Sequence, residues 1–194
     1  MKKFLPLLAS ALLSLNLGLA QTSGDHSARV RIPNYIGLKI IDAAGNLGTA
    51  PSVDFDYTTD VNTYTNVVNA GGGTLAPTSV TTFEDIQVAS RAGNWYIYTR
   101  STPTSGFGAG SGFELRDVRV RRGAVSGLTR SSAISVMLNN WRLRTTWRAI
   151  AYGNSATQGW DSLGFNGYDY TIDIDGDEEP GDHSVTVTYL LFSP

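Results

Sequence analysis

The chain has 194 residues, with 15 Lys and Arg against 17 Asp and Glu, a formal net charge of −2, and no cysteine. That balance argues against nucleic acid as a partner, and the missing cysteine excludes both a disulfide framework and a lipidated N-terminal Cys. Only two histidines are present, His26 and His183, so side chains suited to nucleophilic or transition-metal chemistry are scarce.

Residues 1–20 read as a cleavable signal peptide. Lys2 and Lys3 open it, an apolar stretch follows, and Gly18-Leu19-Ala20 sets small residues before Gln21, where cleavage is expected. The stretch is too short and too polar near its end for a membrane span, and no later window resembles one. The expectation is therefore a secreted, extracellular or cell-envelope protein whose mature part, residues 21–194, is a single domain. Without Lys2 and Lys3, the 15 basic residues become 13 against 17 acidic, a net charge of −4.

Period-two alternation dominates the mature part, and no helix is expected in it. Ala28, Val30 and Ile32 alternate with Arg29 and Arg31; Pro33-Asn34 interrupts, and residues 36–41 resume. Strands are then expected over 53–57, 95–100, 113–120 (with a bulge near Arg116-Asp117, where the alternation changes phase), 133–138 and 145–152. Residues 58–77 and the glycine-rich 101–112 read as long loops; the second lacks the Gly-Lys-Ser/Thr of a phosphate cradle. Tyr168, Tyr170, Ile172 and Ile174 alternate with acids and Thr171, and Val185, Val187, Tyr189 and Leu191 alternate with Thr186 and Thr188. A turn-rich acidic connection lies between them, so the two make a hairpin or a pair that crosses a sandwich. About eight to ten short strands with Gly, Pro and Asn punctuation predict an all-β, antiparallel β-sandwich.

Charge is unevenly spread. Residues 113–148 carry Arg116, Arg119, Arg121, Arg122, Arg130, Arg142, Arg144 and Arg148 against Glu114 and Asp117, while residues 149–194 carry acids and no Lys or Arg. Neutralisation between neighbouring strands accounts for this, and complementarity between subunits is the alternative.

Four groups of residues are candidates for chemistry. Asp173, Asp175, Asp177 and Glu178 offer the hard oxygen ligands that calcium takes, although glycine placement and the lack of flanking helices set them apart from an EF-hand. Gly24-Asp25-His26-Ser27 and Gly181-Asp182-His183-Ser184 repeat a tetrapeptide at the first and last strands, and the two histidines would converge on a transition metal if those strands run side by side. Glu84 and Glu114 are present without a feature that pairs them for glycoside hydrolysis. Among the aromatics, Trp95 and Trp147 are expected in the core, and Trp141 and Trp160 are the loop candidates for stacking on a polysaccharide.

The ending Tyr170-Thr-Ile-Asp-Ile-Asp-Gly-Asp-Glu-Glu-Pro-Gly-Asp-His-Ser-Val-Thr-Val-Thr-Tyr189 resembles that of exported bacterial pilin-like sandwiches, the spore-coat-protein-U-type and related secreted immunoglobulin-like domains. The Pro-interrupted alternation of residues 28–41 is similar in style. The resemblance implies an immunoglobulin-like β-sandwich, secretion, and assembly at the surface, in some members by strand exchange. Such domains usually carry a disulfide, which this chain lacks. The expected function is a secreted, non-enzymatic structural or adhesive cell-surface component. It would associate with itself or with other surface proteins. The alternative is a secreted carbohydrate-binding module.

Overall fold

The computed structural model describes residues 35–107 and 111–194. The signal segment, the 28–32 strand, Asp25 and His26 lie outside the described residues. Thirteen strands are present among the described residues, with one α-helix, and every pairing between strands is antiparallel. The fold is all-β and sandwich-like, as the alternation predicts.

The strands form four sheets. β1 (Ile36–Ile41), β5 (Asp85–Ser90) and β11 (Asp161–Ser162) make the first, in the order β1-β5-β11. The second runs β13-β6-β10-β8, from β13 (Ser184–Phe192) through β6 (Trp95–Ser105) and β10 (Arg148–Gly153) to β8 (Ser135–Val136). The third runs β3-β12-β7-β9, with β3 (Gly73–Leu75), β12 (Tyr170–Ile174), β7 (Val118–Arg121) and β9 (Asn140–Arg142). β2 (Ser52–Asp54) and β4 (Ser79–Thr81) form a small fourth sheet. Residues Asn34–Pro194 make one compact unit.

The core is the meeting of inward rows from these sheets: Ile86 and Val88 of β5, Trp95 and Ile97 of β6, Val118 and Val120 of β7, Ile172 and Ile174 of β12, with Phe165 and Leu163 between them. Trp95 packs against the backbone of Gly153, its register partner on β10. A Cβ there would lie 2.3 Å from the indole, so glycine at 153 is what lets the largest core side chain lie flat.

β12 and β13 belong to different sheets, so of the two arrangements expected for the last strands the sandwich-crossing one is present. The inward row Val185, Val187, Tyr189, Leu191 is correct in phase but only half-buried, because β13 is an edge strand among the described residues. β6 runs to Ser105, through residues expected to be loop. Its Pro103 pairs with Val185 of β13 beyond the last residue that β10 pairs, so the missing N–H interrupts no ladder bond on that side.

Three expectations are corrected. A nine-residue helix, α1 (Val61–Asn69), occupies the stretch expected to be loop. Asp60 caps it, accepting from the Thr63 amide and hydroxyl, and Tyr64, Val67 and Val68 turn toward the core at helical spacing. Its Val, Thr and Asn are weak helix formers, so packing decides here, not propensity. The phase change near Arg116 is a 3₁₀ turn over Leu115–Asp117, closed by the Glu114 amide donating to the Asp117 carboxylate at 2.7 Å. Register shifts lie instead between Ala149 and Ala151 on β10 and between Ser184 and Val185 on β13. Finally, the strand count exceeds ten because β3, β4, β9 and β11, each two or three residues long, fall below what alternation reveals.

Candidate functional site

The outer face of the β13-β6-β10-β8 sheet carries a group of neighbouring aromatic side chains. Trp95, Ile97 and Thr99 of β6 point inward, so Tyr96, Tyr98, Arg100 and Thr102 point out. Directly paired residues share a face, which places Phe192 and Tyr152 on either side of Tyr96, and Leu190 and Ala149 on either side of Tyr98. Thr188 lies beside Arg100, and Thr186 beside Thr102.

The Tyr96 ring is 6.2 Å from Tyr152, tilted by 29°, and 6.3 Å from Tyr98. The Arg100 guanidinium lies 4.6 Å over the Trp147 ring, a cation–π contact that keeps the charge at the surface. Phe192 is 48% exposed, Leu190 45% and Trp147 40%. No carboxylate lies on this face among the residues paired in register. Large rings, several hydroxyls and one cation on a flat surface suit contact with another surface or with a polymer; nothing here positions an acid and a base for catalysis.

Trp147 therefore corrects the expectation of a core residue: it precedes β10 and faces outward. Trp141 is corrected in the other direction. It is only 3% exposed, faces inward on β9 opposite Val120, and meets Phe165 edge-on at 5.1 Å, so no sugar can reach it. Trp160 is 41% exposed and lies on the outer face of the first sheet, over Gly37. Tyr35 meets its edge at 6.2 Å and Lys39 Nζ sits 4.5 Å from its ring, so its stacking faces are partly taken. Tyr96 and Tyr98 stand out in the sequence as aromatics beside Trp95, but their neighbours Tyr152 and Phe192 are what a sugar-stacking search by loop position misses. The signal that finds them is the register of three strands, which no single stretch of sequence contains.

Of the calcium candidates, the structure brings Asp175, Asp177 and Glu178 within 4.8 Å of one another. Asp173 is drawn off by ion pairs with Arg119 and Arg142. The Glu178 carboxylate accepts from the amides of Asp175 and Gly176 and from the Tyr64 hydroxyl, and Asp175 accepts from the Asp177 amide. A side-chain hydrogen bond with Asp177, joined by the one from its amide, holds the Asp175 carboxyl below its usual range, while that same hydrogen bond and the charge of Asp175 push Asp177 up. The turn is thus organised by its own amides. His183 bridges two backbone carbonyls, Nδ1 to Gly106 at 2.7 Å and Nε2 to Glu179 at 2.8 Å, against the Phe113 ring at 4.5 Å. Both ring nitrogens are occupied in this role. Glu114 pairs with Arg116 at the surface, and the Glu84 amide donates to the Ile41 carbonyl.

No protein-family model matches this chain, and no curated protein or solved structure does either.

Proposed function

We propose that the chain is an exported, non-catalytic structural or adhesive component of the cell surface, acting through an open sheet face. The observation that carries this reading is the acid-free aromatic outer face of the β13-β6-β10-β8 sheet, with Phe192, Leu190 and Trp147 turned to solvent. Contiguous apolar surface of this kind marks an interaction site. The signal-like N-terminus and the pilin-like ending support export and surface assembly.

The test is the triple variant Tyr96→Ser, Tyr98→Ser, Phe192→Ser, whose side chains all face outward. Expressed in the native host, the wild-type chain is expected in the washed cell-surface fraction and the variant in the medium, with unchanged circular dichroism. Equal surface retention of a folded variant overturns the reading.

The same face favours the alternative, a carbohydrate-binding module, because tyrosines beside threonine hydroxyls combine ring stacking with hydrogen bonding. Migration through gels containing dissolved polysaccharides separates the two. Retardation by a polysaccharide, lost in the triple variant, supports the module. Surface retention without any retardation supports the adhesive component.

A further inference from the structure

The third sheet carries opposite charges at its two ends. β7 leaves the sheet through Arg121 and Arg122 at the end where Val120 pairs with Tyr170, and Arg121 pairs there with Asn140 of β9. These residues border an open concavity of about 620 Å³, lined by Arg121, Arg122, Ala124, Asn139 and Asn140. Arg122 donates one Nη to the Asn139 side-chain oxygen at 2.9 Å, while its Nε and other Nη have no acceptor; neither has the Nε of Arg130. Arg121 is exposed and makes no ion pair among the described residues.

The nearby Asp169 does not neutralise this end. It is fully buried, and its carboxylate is taken by the amides of Val125, Ser126 and Asn166 and by the Ser126 hydroxyl. Burial and the like charge of Arg130 pull the Arg122 guanidinium down, against a smaller opposing pull from Asp169. The exposed Arg121 guanidinium, at the rim beside the half-buried Arg122, makes the concavity basic and suits it to an anionic partner.

At the other end β12 runs out at Ile174 into the turn 175–182. Asp177 and Glu179 are exposed there, and no ion pair engages the turn among the described residues. Four strand steps of about 3.3 Å separate the two ends of β12, so the basic and acidic ends cannot meet within one molecule. Each can be satisfied by the other end of a second copy.

We infer that this chain self-associates head to tail, the acidic turn 175–182 of one copy entering the arginine-lined concavity at the Arg121 end of the next. Two different patches meet in this contact, so it is heterologous and does not close on itself unless the rotation happens to form a ring. It uses none of the aromatic face and so stands or falls apart from the function proposed above.

The experiment uses mature protein in analytical ultracentrifugation at about 10 mM and about 1 M salt, where the Debye length falls from ~30 to ~3 Å. Wild type is expected to form a concentration-dependent series of oligomers at low salt and to dissociate at high salt. Arg121→Glu and the pair Asp177→Lys with Glu179→Lys alter exposed positions only, and each variant alone is expected to be monomeric. Their equimolar mixture keeps one contact with its native charges and restores the other with its charges exchanged, and is expected to assemble beyond the dimer although neither variant alone does. Wild type that stays monomeric at low salt, or variants that assemble as wild type does, overturns the inference. So does a monomer whose mobility is shifted by a polyuronate but not by its own concentration, since that assigns the concavity to an acidic polymer.

Discussion

The four tryptophans show how a single side chain's fate is set by its strand partners. Trp95 and Trp141 face the core; Trp147 and Trp160 do not. Trp141→Ala is expected to cost about 3–5 kcal/mol, because it removes a large inward ring from against Phe165. Trp147→Ala loses only a partly exposed ring under Arg100 and is expected to cost about 1 kcal/mol or less. Urea denaturation of both variants checks this, and equal costs would mean the faces are reversed. Trp95 was legible, since Ile97 continues its phase within one long strand. Trp141 was not: β9 is three residues long, and its burial follows from pairing with β7 across some twenty residues. Asp169 is equally hidden in the sequence. Asp169→Ala strips four donors of their acceptor and is expected to destabilise the domain by about 3 kcal/mol or more, read by the same denaturation curves.

At the scale of elements, long half-covered strands were readable, while the doubly covered β5 and the short β3, β4, β9 and β11 were not. β1, β6, β12 and β13 each present one face to the core and one outward, and alternation finds them. β5 reads Asp-Ile-Gln-Val-Ala-Ser and is buried along nearly its whole length, so its polar residues fail to mark an exposed face. Asp85 stays inside by accepting from the Ser162 hydroxyl at 2.9 Å, although burial pushes its carboxyl up. The helix α1 hides behind β-branched residues. Its Asp60 cap predicts that Asp60→Ala costs about 1 kcal/mol, measured as a lowered denaturation midpoint with an unchanged sheet signal. The acidic turn was legible as a turn, but its candidate calcium set was divided by the sheet: Asp173 belongs to the Arg119 and Arg142 pairs, the other three to the turn. With amides already serving Glu178 and Asp175, millimolar calcium is expected to leave the melting temperature unchanged. A clear rise, abolished in Asp177→Asn, would show instead that the turn is a calcium site.

For the molecule as a whole, the tyrosine pair that joins β12 to β13, Tyr170 buried and Tyr189 half-buried, sets a limit on alkaline stability. The Tyr170 and Tyr189 hydroxyls bond each other across the two sheets, and burial raises both far above the ordinary phenol value. A raised folded value means that the stabilisation is complete below the unfolded value of about 10 and is lost as pH climbs past it. Absorbance at 295 nm followed together with circular dichroism is expected to show two of the nine tyrosines ionising only as the sheets melt. Two phenols that titrate near 10 in the folded protein would contradict the burial. A separate expectation is that material recovered outside the native host begins at Gln21, which intact mass would show.

β12 lies between β3 and β7, and β13 completes the longest ladder in the protein, against β6. Both strands come from the last 25 residues of the chain, so the order of synthesis matters. Until residues 170–192 have left the ribosome, β3 and β7 lack the strand that joins them, and the core side of β6 lacks Tyr189 and Leu191. A chain truncated before Tyr170 is expected to stay unfolded, and the full chain to fold slowly, because its decisive contacts close loops of many tens of residues. Under the export proposed above, that delay is useful. A polypeptide lacking β12 and β13 would stay threadable through a narrow translocation channel, and it would acquire its resistance to unfolding only once those strands pair.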